Sequence, residues 1–539
     1  MTDSADMADP LASVELSDSA DVLRKPVAFR HDLLRAAALI AASISYSPGI
    51  VWAGNEPFIT SPVRLIQFAV LAWAALFVVA VVLVRFTNLG SVAGSWLFLL
   101  GIMFFGGGAV IDQFGRSGGI AVWALLLIGG CWILSRTRHL RGTRLVLDWA
   151  ALFLFLTPLA QGVSVGLADD SSTIGSRDVS LESAGGSKAD LFVIFLDGYA
   201  SRATLERDFG VTDLEIADDF ERAGLLVPTA AWAPYTMTIL SLPSILDLGY
   251  PVEAGISVSG AEVSKLTRII SSDNALVKVL KASGYRYSHV ESGWYGMNCG
   301  AEVDTCKSRP FLDDAMGAVL ETSIVRALGV DPYAWSFALG TMKAMTATNE
   351  IIQEAVGNNQ PDLVISHILA PHPPMTLGPR CERLDEPVGR PLEWLPSEGT
   401  WSVEELRTAY SAQIECVNLW LSDLLEIADS GTSQPALLIT ADHGTGFRGQ
   451  MERPLESWDD LDIYERLSIM LAMRAPAPCE LAGLITPTMA AAELVSCLVG
   501  VDVEVDQRHF LVSKASPVSS LDPAELDEIG RAADSIASS

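Results

Sequence analysis

Ala436-Leu437-Leu438-Ile439-Thr440-Ala441-Asp442-His443-Gly444 decides the fold. Its first six residues suit a buried strand, and they run straight into Asp-His-Gly. A short apolar run bounded by Gly reads as a central strand of a sheet covered on both faces. In open α/β sheets the chemistry lies in the crevice at the carboxyl ends of the strands. Asp442 and His443 stand there, and a carboxylate beside an imidazole can ligate zinc or manganese. The plainer alternative is an Asp that caps the loop and a His that packs. A second stretch of the same kind lies upstream, where Leu191-Phe192-Val193-Ile194-Phe195-Leu196 is followed by Asp197-Gly198-Tyr199. Two buried strands that end on acids are what one cation at a sheet edge requires. Alternatively, Asp197 only caps a helix suggested by Ala203-Thr204-Leu205-Glu206.

Between these strands, loop chemistry passes into an apolar helical run at Thr238, within Pro234-Tyr235-Thr236-Met237-Thr238-Ile239-Leu240-Ser241-Leu242-Pro243-Ser244. A hydroxyl at a helix N-terminus meets free backbone N–H groups and the positive end of the dipole, where a phosphate is also stabilised. A metal bound to that hydroxyl makes it a nucleophile. An ordinary Thr N-cap is the competing reading. His367 ends another strand, and His372 lies in the Pro-rich loop Ala370-Pro371-His372-Pro373-Pro374 beyond it. Imidazoles placed there can protonate a leaving oxygen or hold a phosphoryl oxygen.

The chain has 539 residues, of which 50% are hydrophobic, and that share points to a membrane part. The formal net charge of -29 excludes nucleic acid as a partner. Residues 1–31 begin as an acidic Ser/Asp/Ala stretch and read as a disordered cytoplasmic tail. Residues 32–168 carry five apolar segments, at about 32–53, 63–84, 91–111, 118–135 and 146–167. Arg24, Lys25, Arg30, Arg35, Arg85, Arg136, Arg138, Arg141 and Arg144 flank one side, and little more than Arg64 and Arg116 the other. The positive-inside rule puts the N-terminus in the cytoplasm, and five crossings deliver everything after 168 outside. The chain therefore reads as a multi-pass protein of the inner (plasma) membrane with a periplasmic or extracellular catalytic domain. Of the seven Cys, only Cys131 lies in an apolar segment. The other six fall in the C-terminal part, where an oxidising compartment suggests three disulfides. Cys299 and Cys306 share one short loop and form the first candidate pair.

Residues 169–188 read as a linker rich in Ser, Gly and Asp, and 189–515 as the catalytic domain. Strands are expected at 191–196, 285–290, 362–367, 436–441 and near 467–473. Helices are expected near 213–223, 238–247, 273–283, 333–356, 402–428 and 486–498. Ser402 and Glu405 form a capping box at the start of one of them. Such alternation argues an α/β domain with a mostly parallel sheet covered by helices on both faces, behind an α-helical membrane domain. Residues 516–539 read as a polar tail.

The ordered set Phe195-Leu196-Asp197-Gly198-Tyr199, Thr238-Ile239-Leu240-Ser241-Leu242-Pro243, Leu369-Ala370-Pro371-His372-Pro373-Pro374 and Ala441-Asp442-His443-Gly444 resembles the alkaline phosphatase superfamily. It looks most like the membrane-anchored sulfatase-like branch, which includes phosphoethanolamine transferases and lipoteichoic acid synthases. The resemblance covers about 189–500. It implies one divalent metal held by Asp197, Thr238, Asp442 and His443, zinc or manganese rather than magnesium, with Thr238 as nucleophile. It implies His372 and His367 as substrate-facing groups, and Ser292 and Trp294 as part of the pocket lining. The chain departs from true sulfatases, whose matured Cys or Ser lies in C/S-x-P-x-R. Ser241-Leu242-Pro243-Ser244-Ile245 lacks the Arg, which disfavours sulfate ester hydrolysis. A second metal at His367 and His372 stays open, and only His509 remains as a further downstream imidazole.

Three functions compete. The first is a transferase that moves a phospho-head-group from a membrane phospholipid donor to an envelope glycan or lipid acceptor through Thr238. The second is a phosphodiesterase or phosphatase with water as acceptor. The third is an inactive envelope scaffold, against which the joint presence of Asp197, Thr238, Asp442 and His443 counts.

Overall fold

The computed structural model describes residues 15–55, 63–86, 90–168, 174–177, 188–211, 215–258, 260–308, 313–329, 331–389, 401–477, 479, 481, 483–500 and 502–537. The chain divides into two compact units. One contains five apolar helices: α1 (Glu15–Gly54), α2 (Val63–Phe86), α3 (Gly90–Phe105), α4 (Gly107–Arg136) and α5 (Arg141–Ala168). Four of them are long and apolar enough to cross a membrane. The 16 residues of α3 rise only about 24 Å, short of a hydrocarbon core of roughly 30 Å. The third segment, expected over 91–111, is interrupted because α3 stops at Phe105 and α4 restarts at Gly107. Helix α1 takes in 15–31, which composition assigned to a disordered tail, while 1–14 lie outside the described residues.

The second unit carries a six-stranded sheet. Its strands are β1 (Leu191–Leu196), β2 (Arg286–Val290), β3 (Thr305–Lys307), β4 (Asp362–Ile368), β7 (Ala436–Ala441) and β8 (Leu471–Arg474), in the order β3-β2-β4-β1-β7-β8. Short strands β5 (Met375–Leu377) and β6 (Arg383–Val388) pair separately. All neighbours in the large sheet are parallel except β7 and β8. Every residue of β1, β4 and β7 is buried, as helices on both faces of a central strand demand. Those helices are α6 (Arg202–Phe209), α7 (Glu215–Arg222), α8 (Thr238–Leu246), α9 (Gly260–Ser271), α10 (Ala275–Ala282), α11 (Asp314–Glu321), α12 (Pro332–Val356), α13 (Val403–Ala428), α14 (Asp460–Leu467) and α15 (Pro487–Val499).

Two expectations fail here. The strand placed at 467–473 starts later, because α14 runs to Leu467 and β8 begins at Leu471. Residues 516–537 are no tail: β9 (His509–Ser513) pairs with β10 (Ser516–Leu521), and α16 (Pro523–Ala537) follows. Leu526, Ile529 and Ala533 recur at helical spacing and are buried in the main core, so one stripe of a mostly polar helix suffices to hold it. Of the linker 169–188, residues 174–177 and 188 are described, and the first of these stretches is fixed to Asp247, whose carboxylate accepts from the Ser176 hydroxyl and from the Arg177 N–H. All six Cys of this unit pair, as Cys299–Cys306, Cys381–Cys416 and Cys479–Cys497.

Candidate metal and nucleophile site

Strand register builds the site. Leu196 pairs with Ala441 on one side and with Ile368 on the other. The next residues, Asp197 and Asp442, therefore leave neighbouring strands at the same level, with the His372 loop issuing from the third. The loop after β1 is pinned from both ends. The Gly198 N–H donates to Asp442 Oδ1 at 3.1 Å, while the Tyr410 hydroxyl on α13 donates to Gly198 O and accepts from the Ala200 N–H. Helix α6 takes its N-cap from Ser201, so Asp197 is not a cap. Past β7, Gly444 cannot be another residue, since a Cβ there would lie 2.1 Å from Glu465 O.

Thr238 is the first helical residue of α8, and the N-cap is Met237, which makes no side-chain cap. The Thr hydroxyl is therefore not spent on its own helix. Its Oγ1 lies 3.0 Å from His443 Nε2. His443 Nδ1 donates to Gly444 O at 2.9 Å, which leaves Nε2 as the lone-pair nitrogen. His443 Nε2 is also 3.6 Å from Asp197 and 3.4 Å from Asp442, and His367 Nε2 is 3.6 Å from Asp197. His372 Nδ1 donates to Pro373 O at 2.7 Å, so its Nε2 also carries a lone pair. The structure thus brings together Asp197, Thr238, His367, His372, Asp442 and His443.

Two overlapping sets hold donor atoms within 4.8 Å of one another: Asp197 with His372 and His443, and Asp197 with His367 and Asp442. Asp197 Oδ1, Asp442 Oδ2 and both His367 ring nitrogens are buried without a hydrogen-bond partner. Unpaired buried acceptors are expensive, and two facing carboxylates more so. Burial, then the Asp442 charge, pushes the Asp197 carboxyl well above its usual range. Burial lowers His367 to about 4 and His372 to about 3, and it drives His443 well below the usual imidazole value. Neutral imidazoles and crowded carboxylates are the donor set of a borderline divalent cation, so these residues fit a metal.

Trp294 packs edge to face on His367, with centroids 5.8 Å apart. Ser292 is fully buried, and its hydroxyl accepts from the Trp294 N–H at 3.3 Å. Trp294 thus walls the site, whereas Ser292 serves the turn that holds it. His509 stays out of both donor sets and donates from Nδ1 to Ala233 O.

Sequence reasoning missed Arg466. It is 4% exposed, and its Nε donates to Thr236 O at 2.7 Å and its Nη1 to Gly444 O at 2.8 Å. One guanidinium thus ties the approach to Thr238 to the loop of His443. Burial lowers it to about 10, although Asp442 and Asp197 act to raise it. The only local signal was a charge on the last turn before an apolar strand, which reads as solvated.

Residues 211–463 match the sulfatase family. The chain carries a sulfatase-family domain. The match takes in Thr238, His367, His372, Asp442 and His443, and begins after Asp197. That domain is of the sulfatase kind within the alkaline phosphatase superfamily, whose chemistry is metal-dependent phosphoryl or sulfuryl transfer or hydrolysis. Among solved structures it is similar to the C-terminal periplasmic domain of phosphoethanolamine transferase EptC from Campylobacter jejuni, at 12% identity over 62% of this chain and 97% of that one, with a TM-score of 0.39. It is also similar to the soluble domain of lipooligosaccharide phosphoethanolamine transferase A from Neisseria meningitidis, at 13% identity over 56% and 82%, with a TM-score of 0.35. A putative sulfatase from Bacteroides thetaiotaomicron VPI-5482 is similar at 16% identity over 61% and 74%, with a TM-score of 0.37. No curated protein matches the chain.

Proposed function

We propose that this protein moves a phospho-head-group from a membrane phospholipid to an envelope glycan or lipid, through a covalent intermediate on Thr238. The observation that carries the reading is the Thr238 hydroxyl, 3.0 Å from His443 Nε2 at an uncapped helix N-terminus, beside two buried carboxylates with unpartnered oxygens. Asp197, Thr238, Asp442 and His443 would hold a divalent ion, zinc or manganese. Such an ion supplies positive charge that stabilises an alkoxide and ionised phosphoryl oxygens.

The chain's own groups do the rest. Thr238 Oγ1 attacks phosphorus as the bond to the diacylglycerol oxygen breaks. His372, neutral with Nδ1 committed to Pro373 O, receives the Thr238 proton at Nε2 and returns it to the departing oxygen. In the second step Nε2 takes the proton of the acceptor hydroxyl, that oxygen forms the new bond to phosphorus as the bond to Thr238 Oγ1 breaks, and the proton passes to Thr238 Oγ1. Two displacements at one phosphorus give ping-pong kinetics. His367 and Trp294 border the same space and are assigned to substrate contact.

Thr238→Ala should lower turnover by roughly three orders of magnitude or more while fold and most bound metal persist. Wild-type protein quenched with lipid and no acceptor should carry added mass on the peptide containing Thr238. Near-normal diacylglycerol release by Thr238→Ala would instead favour a hydrolase with water as nucleophile.

A further inference from the structure

Residues Val319–Val330 lie deep inside the sequence of the sulfatase-family domain, yet they group with the apolar helices of the first unit. The contacts are intimate. The Gly108 N–H of α4 donates to Thr322 O at 2.9 Å. A Cβ on Gly107 would lie 2.6 Å from Ile324 Cβ, and one on Gly108 2.7 Å from Glu321 O, so the two backbones touch where α4 begins. The Ser47 and Thr322 hydroxyls are 3.1 Å apart. The charges of this region are met locally: Arg326 bonds Asp112 at 2.6 Å and Glu321 at 2.9 Å, and Arg116 Nε donates to Ala327 O at 2.9 Å.

Two large apolar side chains face outward beside these pairs. Leu328 is 71% exposed, and Phe114, two residues before Arg116, is 55% exposed. The depth of this place along α4 can be read from charge. Residues 117–135 carry none, and Arg116 and Arg136 close the stretch. At 1.5 Å per residue it spans about 28 Å, close to the thickness of the hydrocarbon core. Arg116 therefore marks one polar–apolar boundary, and Ala327 and Gly329, which Arg116 touches, flank Leu328 there.

We infer that residues 319–329 form a bilayer-contacting segment, with Leu328 inserted at the lipid interface beside the start of α4. The pairing of Arg326 with two acids and of Arg116 with a carbonyl makes the position tolerable, and the leucine gains by leaving water. A protein partner covering Leu328 is the competing occupant. The inference concerns lipid contact and stands whatever the enzyme transfers.

The test uses the full chain in phosphatidylcholine vesicles, with Cys131, the free cysteine, replaced by Ala. Leu328→Cys is labelled with nitrobenzoxadiazole, and Ile128→Cys, exposed on α4 midway along the uncharged stretch, is labelled as the deep reference. Vesicles carry lipid with a spin label either near the head group or far down the acyl chain. Emission at 328 should be blue-shifted and lost chiefly to the shallow quencher, and emission at 128 chiefly to the deep one. Emission at 328 that is unshifted, insensitive to both lipids and quenched by aqueous iodide would overturn the inference. So would a blue shift that neither spin-labelled lipid diminishes, which would identify protein as the cover.

Discussion

Arg466 reaches the chemistry through other groups. Its two donors hold the carbonyls of Thr236 and Gly444, which lie two residues before the proposed nucleophile and one after a proposed metal ligand. An ammonium cannot span both acceptors in the same plane, so Arg466→Lys should let Thr238 and His443 drift apart. The expected result is a fall of about 100-fold in kcat, with KM and metal content little changed, because sub-ångström to ångström misplacement costs about that much. Parallel loss of metal and kcat would show that Arg466 merely holds the fold. A buried arginine of this kind is invisible to periodicity. Its helix α14 also carries Asp460, Asp462 and Glu465 and follows Asp459 as its N-cap, an acidic pattern that reads as a solvated face. Asp197 and Asp442 were legible because each directly follows a mostly apolar run, a local signal, and His443 comes next after Asp442.

At the scale of elements, the strands and helices around the site were legible for the same reason. Strands β1 and β7 fall where the apolar runs fall, and α13 starts from its Ser402–Glu405 capping box. What failed depends on long-range packing. Whether 516–537 folds depends on a core its own sequence does not contain, and β8 runs antiparallel because α14 precedes it without a crossover. Helix α13 also reaches the site directly, since Tyr410 is fully buried and bridges the Gly198 carbonyl and the Ala200 N–H. Tyr410→Phe should strip two buried groups of their partner and cost about 1–3 kcal/mol. Thermal melting of the purified chain checks the magnitude. Metal analysis of the same sample should show weaker retention, because the loop that loses these two bonds carries Asp197.

For the whole molecule, two expectations concern medium rather than contacts. Five crossings place Lys188 outside, whereas four would return it to the side of the N-terminus, and the brevity of α3 makes that parity the point to measure. A reporter that works only outside the cytoplasm, fused after Lys188, should be active. Acid is the second variable. His289 and His509 are each lowered to about 4, by burial foremost. An unfolded chain binds protons on them near their ordinary value of about 6.5, so the unfolded state takes up more protons as pH falls between the two values. Their contribution is complete above about pH 6.5 and drains away toward pH 4. The melting temperature should therefore fall over that interval, and less steeply for His289→Gln than for wild type. An unchanged slope in that variant would show that His289 takes no part.

The shared level of Asp197 and Asp442 makes the sheet a ruler. Adjacent strands stand about 4.8 Å apart, while two donors on one cation with bonds near 2.0 Å sit roughly 3.3 Å apart. Side chains need to converge by little more than an ångström, and hydrogen bonds along β1, β4 and β7 keep that gap constant. Sequence between the strands is thereby released from metrological duty. Lengthening the stretch ahead of α8 would leave the spacing of the two acids untouched. A slip of one residue between β1 and β7, by contrast, would turn Asp442 to the other face and erase the site without altering a single loop.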